Sequence, residues 1–349
     1  MELLNNPHRH VGLNVPILND IPAPSIDAAA PQALLRRCPD ANITPLIAAD
    51  AMAQALNLGQ ISIKDERQRM GMGSFKALGA AYVIAHRAVI EGEDQSSKTY
   101  VTASAGNHGL SVAAGAQAFG ARACITLPNT VPEAFATRLA SYGAQVIRAG
   151  DDYAASLATA MDLARTNGWE LLSDTSWSGY SALPHRLMEG YTTFMAETHD
   201  QISAPPTHIF LQAGVGGLAG AAAAMARALW GDNPIITVVE PANAPALWAC
   251  IQAGDYTAAS GPDSCMGRLD CKEASLIALK GLAHDSDFFA LISEDEGIKA
   301  SAFVGAHAMP STPSGAGGLA GVLHSAPHRA QLGLNDTSHI LLILSEGPE

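Results

Sequence analysis

Ile61-Ser62-Ile63-Lys64, followed by Gly73-Ser74-Phe75-Lys76-Ala77-Leu78-Gly79, puts a lysine behind a short apolar strand and ahead of an alanine-rich helix. Burial or nearby positive charge lowers the pKa of an amine so placed and makes it a nucleophile toward carbonyls, and small residues around it admit a flat ring. Alone, the stretch fits a surface lysine snorkelling beside a helix start better. Its neighbours along the chain decide between the two.

Residues 1–45 are rich in Pro, Asn and Asp and are expected to wrap the surface, with a first helix over residues 47–56. Beyond them, apolar runs at 98–102, 122–127, 144–148, 207–211, 235–239 and 339–344 read as strands. Residues 109–119, 133–142, 153–166 and 218–230 carry helical patterns between those runs. Strand and helix in alternation predict an α/β protein with parallel sheets and crossover helices, in two doubly wound units. The large unit is expected to comprise residues 1–79 and 185–349, and the small one 80–184. The proline-bearing segment 181–184 and Ala204-Pro205-Pro206 are the expected crossings between them.

Bulk properties narrow the function. The chain has 349 residues, 48% hydrophobic and 15% charged, which excludes disordered and fibrous classes. A net charge of −13 argues against nucleic-acid and anionic-membrane partners and leaves small-molecule chemistry. Cys38, Cys124, Cys250, Cys265 and Cys271 are odd in number without CxxC spacing, so they read as reduced thiols in a cytoplasmic protein. No apolar run reaches membrane-spanning length, and the histidines lack metal-ligand spacing, so no metal is expected.

Three loops carry the chemistry. Gly214-Val215-Gly216-Gly217-Leu218 follows a strand and opens a helix, so unpaired N–H groups and the helix dipole converge on an anion such as a phosphate. Gly214, Gly216 and Ala219 also satisfy a dinucleotide fingerprint, with Glu240 ending the next strand like a ribose-binding acid. Ser104-Ala105-Gly106-Asn107-His108 lies at the C-terminal end of a predicted strand, where ligands collect in open α/β sheets. Its successive N–H groups suit a substrate carboxylate and Asn107 can donate to a ring oxygen, whereas His108 serves packing as readily as proton exchange. Ser345, at the tip of the last strand, offers a hydroxyl to an aromatic nitrogen, or simply caps a turn.

From Thr44 onward these loops resemble the fold type II (tryptophan synthase β-like) enzymes that use pyridoxal 5′-phosphate. Lys64-Asp65-Glu66, Phe75 to Gly79, Gly106 to Gly109, Gln212 to Gly216 and Val239-Glu240-Pro241 are similar to the diaminopropionate ammonia-lyases among them. Asp174-Thr175-Ser176-Trp177-Ser178-Gly179-Tyr180 sharpens the likeness, since general serine/threonine dehydratases lack it. The resemblance implies a homodimer with its active site in the cleft between two domains. It also implies that Lys76, with Phe75 beside it, holds the cofactor covalently, Gly214, Val215, Gly216, Gly217 and Leu218 bind its phosphate, Asn107 its phenolic oxygen and Ser345 its pyridine nitrogen. Asp174 would be an acid/base or amine-binding group, although it also suits a helix cap. The implied activity is α,β-elimination from a small amino acid, giving a 2-oxo acid and ammonia. A serine/threonine-type dehydratase, an amino-acid racemase, a nicotinamide-dependent oxidoreductase and an inert binding protein are the alternatives.

The chain departs from the lyase pattern at three places. Ala105 stands where the family has an aspartate taken to be the base for D-substrates, which implies L-preference. Pro313 stands where the family has a glutamate. Residues 266–273, mostly small in the family, carry Arg268, Asp270 and Lys272 here. Arg268 is therefore a candidate reader of an anionic substituent, against the plainer alternative of a solvated charged loop.

Overall fold

The computed structural model describes residues 1–348. Among these described residues eleven strands form two sheets. The strands are β1 (Glu2–Asn5), β2 (Leu46–Ala48), β3 (Gln60–Asp65), β4 (Thr99–Ala103), β5 (Arg122–Leu127), β6 (Gln145–Arg148), β7 (Glu170–Leu171), β8 (His208–Gln212), β9 (Ile235–Pro241), β10 (Phe288–Ile292) and β11 (His339–Leu344). The seven-stranded sheet runs β1-β10-β9-β8-β11-β3-β2, and the four-stranded sheet β6-β5-β4-β7. The five inner strands of the large sheet and all four of the small one are parallel, whereas β1 and β2 pair antiparallel at the two rims.

Parallel sheets need cover on both faces, and the central strands accordingly read as unbroken apolar runs. Every residue of β4, β8 and β11 is buried. The faces are covered by helices that the sequence makes from small residues, such as Gly217–Trp230, in which seven of the 14 residues are alanine and two are glycine. Helix Ala182–Gln201 packs on that helix and on the turn that bears Lys76. Gly190 allows the second contact, because a Cβ there would lie 2.0 Å from the Leu78 carbonyl oxygen.

Two expected elements differ. In place of one helix over 47–56, Leu46–Ala48 forms a strand against β3 and a shorter helix, Asp50–Ala55, starts afterwards with an acid in its first turn. The segment 181–184 is the opening of a 20-residue helix. Pro184 sits in its first turn, where the missing N–H has no intrahelical partner to lose.

Candidate active site

Lys76 is positioned by the end of β11. Phe75 N donates to the Ser345 carbonyl (3.1 Å) and Gly347 N to that of Gly73 (3.0 Å), and Ser74 bridges to Glu346. Extended backbone at Ser74 lets its hydroxyl accept from Lys76 N, which starts a short 3₁₀ turn. The amine projects beside two aromatic rings, 5.4 Å from the centroid of Phe75 and 5.9 Å from that of Tyr191, which meet each other edge to face.

The Lys76 amine donates to the Asp174 carboxylate, 98 residues away along the chain. Burial works against both charges, but their mutual attraction outweighs it. Lys76 is thereby held well above the usual lysine range and Asp174 well below the usual carboxylate range. Asp174 owes its place to a tight turn in which Trp177 and Tyr180 exchange backbone hydrogen bonds and stack at 4.3 Å, with Gly179 at φ +83°. Tyr180 Oη donates to the Leu171 carbonyl (2.7 Å) and accepts from Ser173 N (3.1 Å). Ser176 and Ser275 join hydroxyls at 2.7 Å and tie this turn to the helix Leu276–Asp285 beneath the large sheet's glycine loop.

That loop forms an anion cradle. Gly216 adopts φ +99°, where a Cβ would also come within 2.8 Å of the Ala278 side chain. The helix Gly217–Trp230 then begins without any side-chain cap, so its first N–H groups face the loop. Val215 accepts from Ser275 N, and the segment Arg268–Cys271 lies against Gly214. Burial pushes the Cys271 thiol up to about 12, so it stays protonated.

Opposite the cradle, Ser345 Oγ lies 3.0 Å from the Gln212 amide, which donates to it and leaves the hydroxyl proton for another acceptor. Asn107 donates to Glu346 (2.6 Å), whose other oxygen accepts from Thr312. Ser104 Oγ accepts from Gly106 and Gly109 and so shapes the loop, while Ala105 and Gly106 stay half-buried beside it. His108 is buried with Nε2 on the Leu172 carbonyl, and burial lowers its pKa, so it is a neutral group that fixes the loop. Arg268 extends over Gly106, with its guanidinium 5.7 Å from the Phe135 ring and Nε 3.8 Å from Glu346. Asp270 and Lys272 pair with one another at 2.6 Å.

Glu240 is no ribose ligand. It is fully buried and accepts from Leu247 N and Trp248 N, both at 2.7 Å, which caps the helix Ala246–Ala253. Sequence reasoning assigned no role to Tyr191, Gln212, Ser176, Ser275 or Glu346. Gln212 and Glu346 were findable from their place at the C-terminal ends of β8 and β11, where side chains of parallel strands reach the site. Tyr191, mid-helix, carries no such signal.

The cleft is furnished for a planar anionic cofactor. The buried Tyr191 Oη and Gln212 Oε1 have no hydrogen-bond partner among the described residues. With the Lys76 amine, the Ser345 hydroxyl and the uncapped helix start they make a set of donors and acceptors that matches an aldehyde-bearing pyridine phosphate. Among the described residues no group of His, Cys, Asp or Glu is disposed to hold a metal ion.

Comparison with known proteins agrees. Residues 39–346 match the family described as pyridoxal-phosphate dependent enzyme. A diaminopropionate ammonia-lyase of Salmonella typhimurium is 31% identical over 352 residues, 89% of this chain and 87% of the relative. A catabolic L-threonine dehydratase of Staphylococcus aureus is 29% identical over 255 residues, 72% and 69% of the two chains. The crystal structure of Escherichia coli diaminopropionate ammonia lyase in complex with an aminoacrylate-PLP azomethine reaction intermediate superposes with a TM-score of 0.87 at 27% identity, covering 99% of this chain and 93% of that one. A cradle, an amine and an aromatic-nitrogen partner brought together on this fold make the chain a member of the pyridoxal-phosphate dependent enzymes, of fold type II.

Proposed function

We propose that this enzyme removes the β-substituent of a small L-amino acid, of the size of diaminopropionate, releasing a 2-oxo acid and ammonia. The observation that carries it is the contact between Lys76 and Asp174, which places a lysine amine and a carboxylate at one point of the cleft. When bound, pyridoxal phosphate supplies an electron-withdrawing ring conjugated to the substrate's α-carbon, which makes the α-proton acidic.

The cradle Gly214–Leu218 would hold the phosphate, Ser345 the pyridine nitrogen, and Asn107 the phenolic oxygen, with Phe75 packed beside the ring. A neutral hydroxyl at the nitrogen withdraws less charge than a carboxylic acid partner, which favours prompt departure of the β-substituent. Lys76 would hold the cofactor covalently and, once released from it, would take the α-proton as general base. Asp174, ionised beside it, accepts a hydrogen bond from that amine and orients it, and relays to the leaving group the proton that Lys76 has taken. The N–H groups from Ser104 to His108 bind the substrate carboxylate. Ala105 has no acid to serve the opposite face, which supports turnover of the L-enantiomer.

Purified enzyme should show a visible cofactor band that Lys76→Ala removes, and should release, per 2-oxo acid, two ammonia from L-diaminopropionate and one from a substrate whose leaving group is not an amine. A colourless protein, or 2-oxo acid without ammonia, would overturn the assignment. Equal kcat/KM for L- and D-substrates would overturn the stereochemical part alone.

No helix among the described residues is long and apolar enough to cross a membrane. The free cysteines support a cytoplasmic setting, and the family resemblance supports a homodimer, which sedimentation would test.

A further inference from the structure

We propose that Tyr191 completes the anion cradle: its phenol donates to the phosphate of the cofactor and helps to keep the cofactor in the cleft while Lys76 is released from it. This adds a side chain to the backbone loop Gly214–Leu218. It rests on the cofactor alone and is independent of which amino acid is turned over.

The tyrosine ring stands between the two parts of the site. On one side, its Cε1 and Oη lie 2.8 and 2.9 Å from where a Gly79 Cβ would stand, at the end of the lysine turn. On the other, its Cε2 lies 3.6 Å from where a Gly217 Cβ would stand, at the first residue of the helix Gly217–Trp230. Cε1 and Cε2 flank the carbon that bears the hydroxyl, so the hydroxyl end of the ring spans the gap between lysine turn and cradle. Phe75 meets the ring edge to face with centroids 4.8 Å apart, and the helix Ala182–Gln201 that carries Tyr191 packs on both parts. The ring is therefore held before any ligand arrives, which lowers the entropy cost of gripping one.

Its hydroxyl is a donor without an acceptor. Tyr191 is 1% exposed, and Oη makes no hydrogen bond among the described residues. The Lys76 amine lies 5.9 Å from the ring centroid and donates to Asp174 instead. Burial is the main influence on the phenol and raises its pKa above the usual tyrosine range, so the proton stays on. A buried hydroxyl left unpaired destabilises a fold, and one that persists calls for an acceptor from outside the chain. The cradle across from it offers none, because the helix begins without a side-chain cap and its first N–H groups are donors as well. What accepts from a phenol and from a helix start together is an anion, and the phosphate of pyridoxal phosphate is the anion that this family brings.

Such a contact has a use beyond docking. While Lys76 serves as a base it no longer tethers the cofactor, and non-covalent contacts alone retain it, those to the phosphate foremost.

Tyr191→Phe removes the hydroxyl and keeps the ring. Titrating the cofactor-free full chain with pyridoxal 5′-phosphate and with pyridoxal, followed by the visible band, separates grip on the phosphate from grip on the ring. The variant should bind pyridoxal 5′-phosphate about tenfold or more weakly, and pyridoxal within about twofold of the parent. Without cofactor its Tm should equal or exceed the parent's, because an unpaired buried hydroxyl is gone, whereas with cofactor its Tm should fall below that of the parent holoenzyme. A hydroxyl that only braced the fold would lower the Tm of the cofactor-free chain and weaken both compounds alike. Equal weakening of the two, or unchanged affinity for pyridoxal 5′-phosphate, overturns the inference whatever the melts show. If Tyr191→Phe does not fold, a tyrosine fluorinated beside its hydroxyl at position 191 decides. This stronger donor on the same ring should tighten pyridoxal 5′-phosphate but not pyridoxal, and should move the phosphorus NMR resonance of the bound cofactor; no change in either overturns the inference. The substrate assignment is tested separately by its products, so either reading can fail without the other.

Discussion

Asp174 shows what one side chain contributes to the site. It is tied to Lys76 and held ionised by that partner despite burial, so it can both orient the amine and relay a proton. Asp174→Asn should keep the cofactor's visible band and lower kcat by about 10²- to 10⁴-fold; a variant with normal kcat would reduce Asp174 to a structural role. Glu240 makes a different prediction. Burial raises its pKa to about 8 despite two backbone donors, so the folded protein keeps a proton that the unfolded chain releases near pH 4.3. Stability from this group is complete below that lower value and is lost as pH rises through 8. Glu240→Gln should therefore gain in Tm over the parent enzyme between pH 5 and 8; a pH-independent difference would contradict the assignment. The placement of Ser345 and of the glycines at 214–217 was legible because each follows a strand end, and that of Lys76 because it lies between a strand and a helix among small residues. The pairing of Lys76 with Asp174 was not, since no local pattern links residues 98 apart.

The turn 173–180 acts as one element. Its hydroxyl link to Ser275 sets Asp174 against a helix of the large sheet, so Ser275→Ala should cost about 1–3 kcal/mol by leaving Ser176 O–H and N–H without their partner. The same change should lower kcat more than it raises KM, which a denaturant melt and a kinetic comparison would check together; a full kcat would separate this turn from the chemistry. Among elements, β3, β4, β5, β6, β8, β9 and β11 were readable within about two residues, because buried parallel strands are compact apolar runs bounded by turns. Between Glu240 and Ser338 little was read. Phe288–Ile292 is short and apolar on both faces, so periodicity cannot tell it from a buried helix turn. Helices Ala246–Ala253, Leu276–Asp285 and Gly317–Leu323 are buried nearly all round and have no polar stripe to reveal a 3.6-residue period.

The whole molecule is braced by a buried ionic cluster behind the lysine turn. Arg69 donates to Glu66 and Glu197 at 2.6–2.8 Å and to Thr44 at 2.9 Å, while Lys64 meets Glu197 and the Thr44 carbonyl. Two cations balance two carboxylates, and the cluster joins the exit of β3 to helix Ala182–Gln201. Arg69→Met should destabilise by about 3–5 kcal/mol because two buried acids are left with one partner cation; a loss below about 1 kcal/mol in urea unfolding would refute the brace. None of this was legible, since Arg69 and Glu197 look like surface charges in the sequence and acquire their setting only when three distant segments meet. The borders of the large sheet bear on how copies meet. β1 and β2 are only four and three residues long and run against the grain of the strands inside them. A second copy finds no long ladder there to extend, so zippering backbone to backbone is closed off. A pairing of copies would then have to use side-chain surfaces, where a single substitution could prise copies apart while sparing the chemistry.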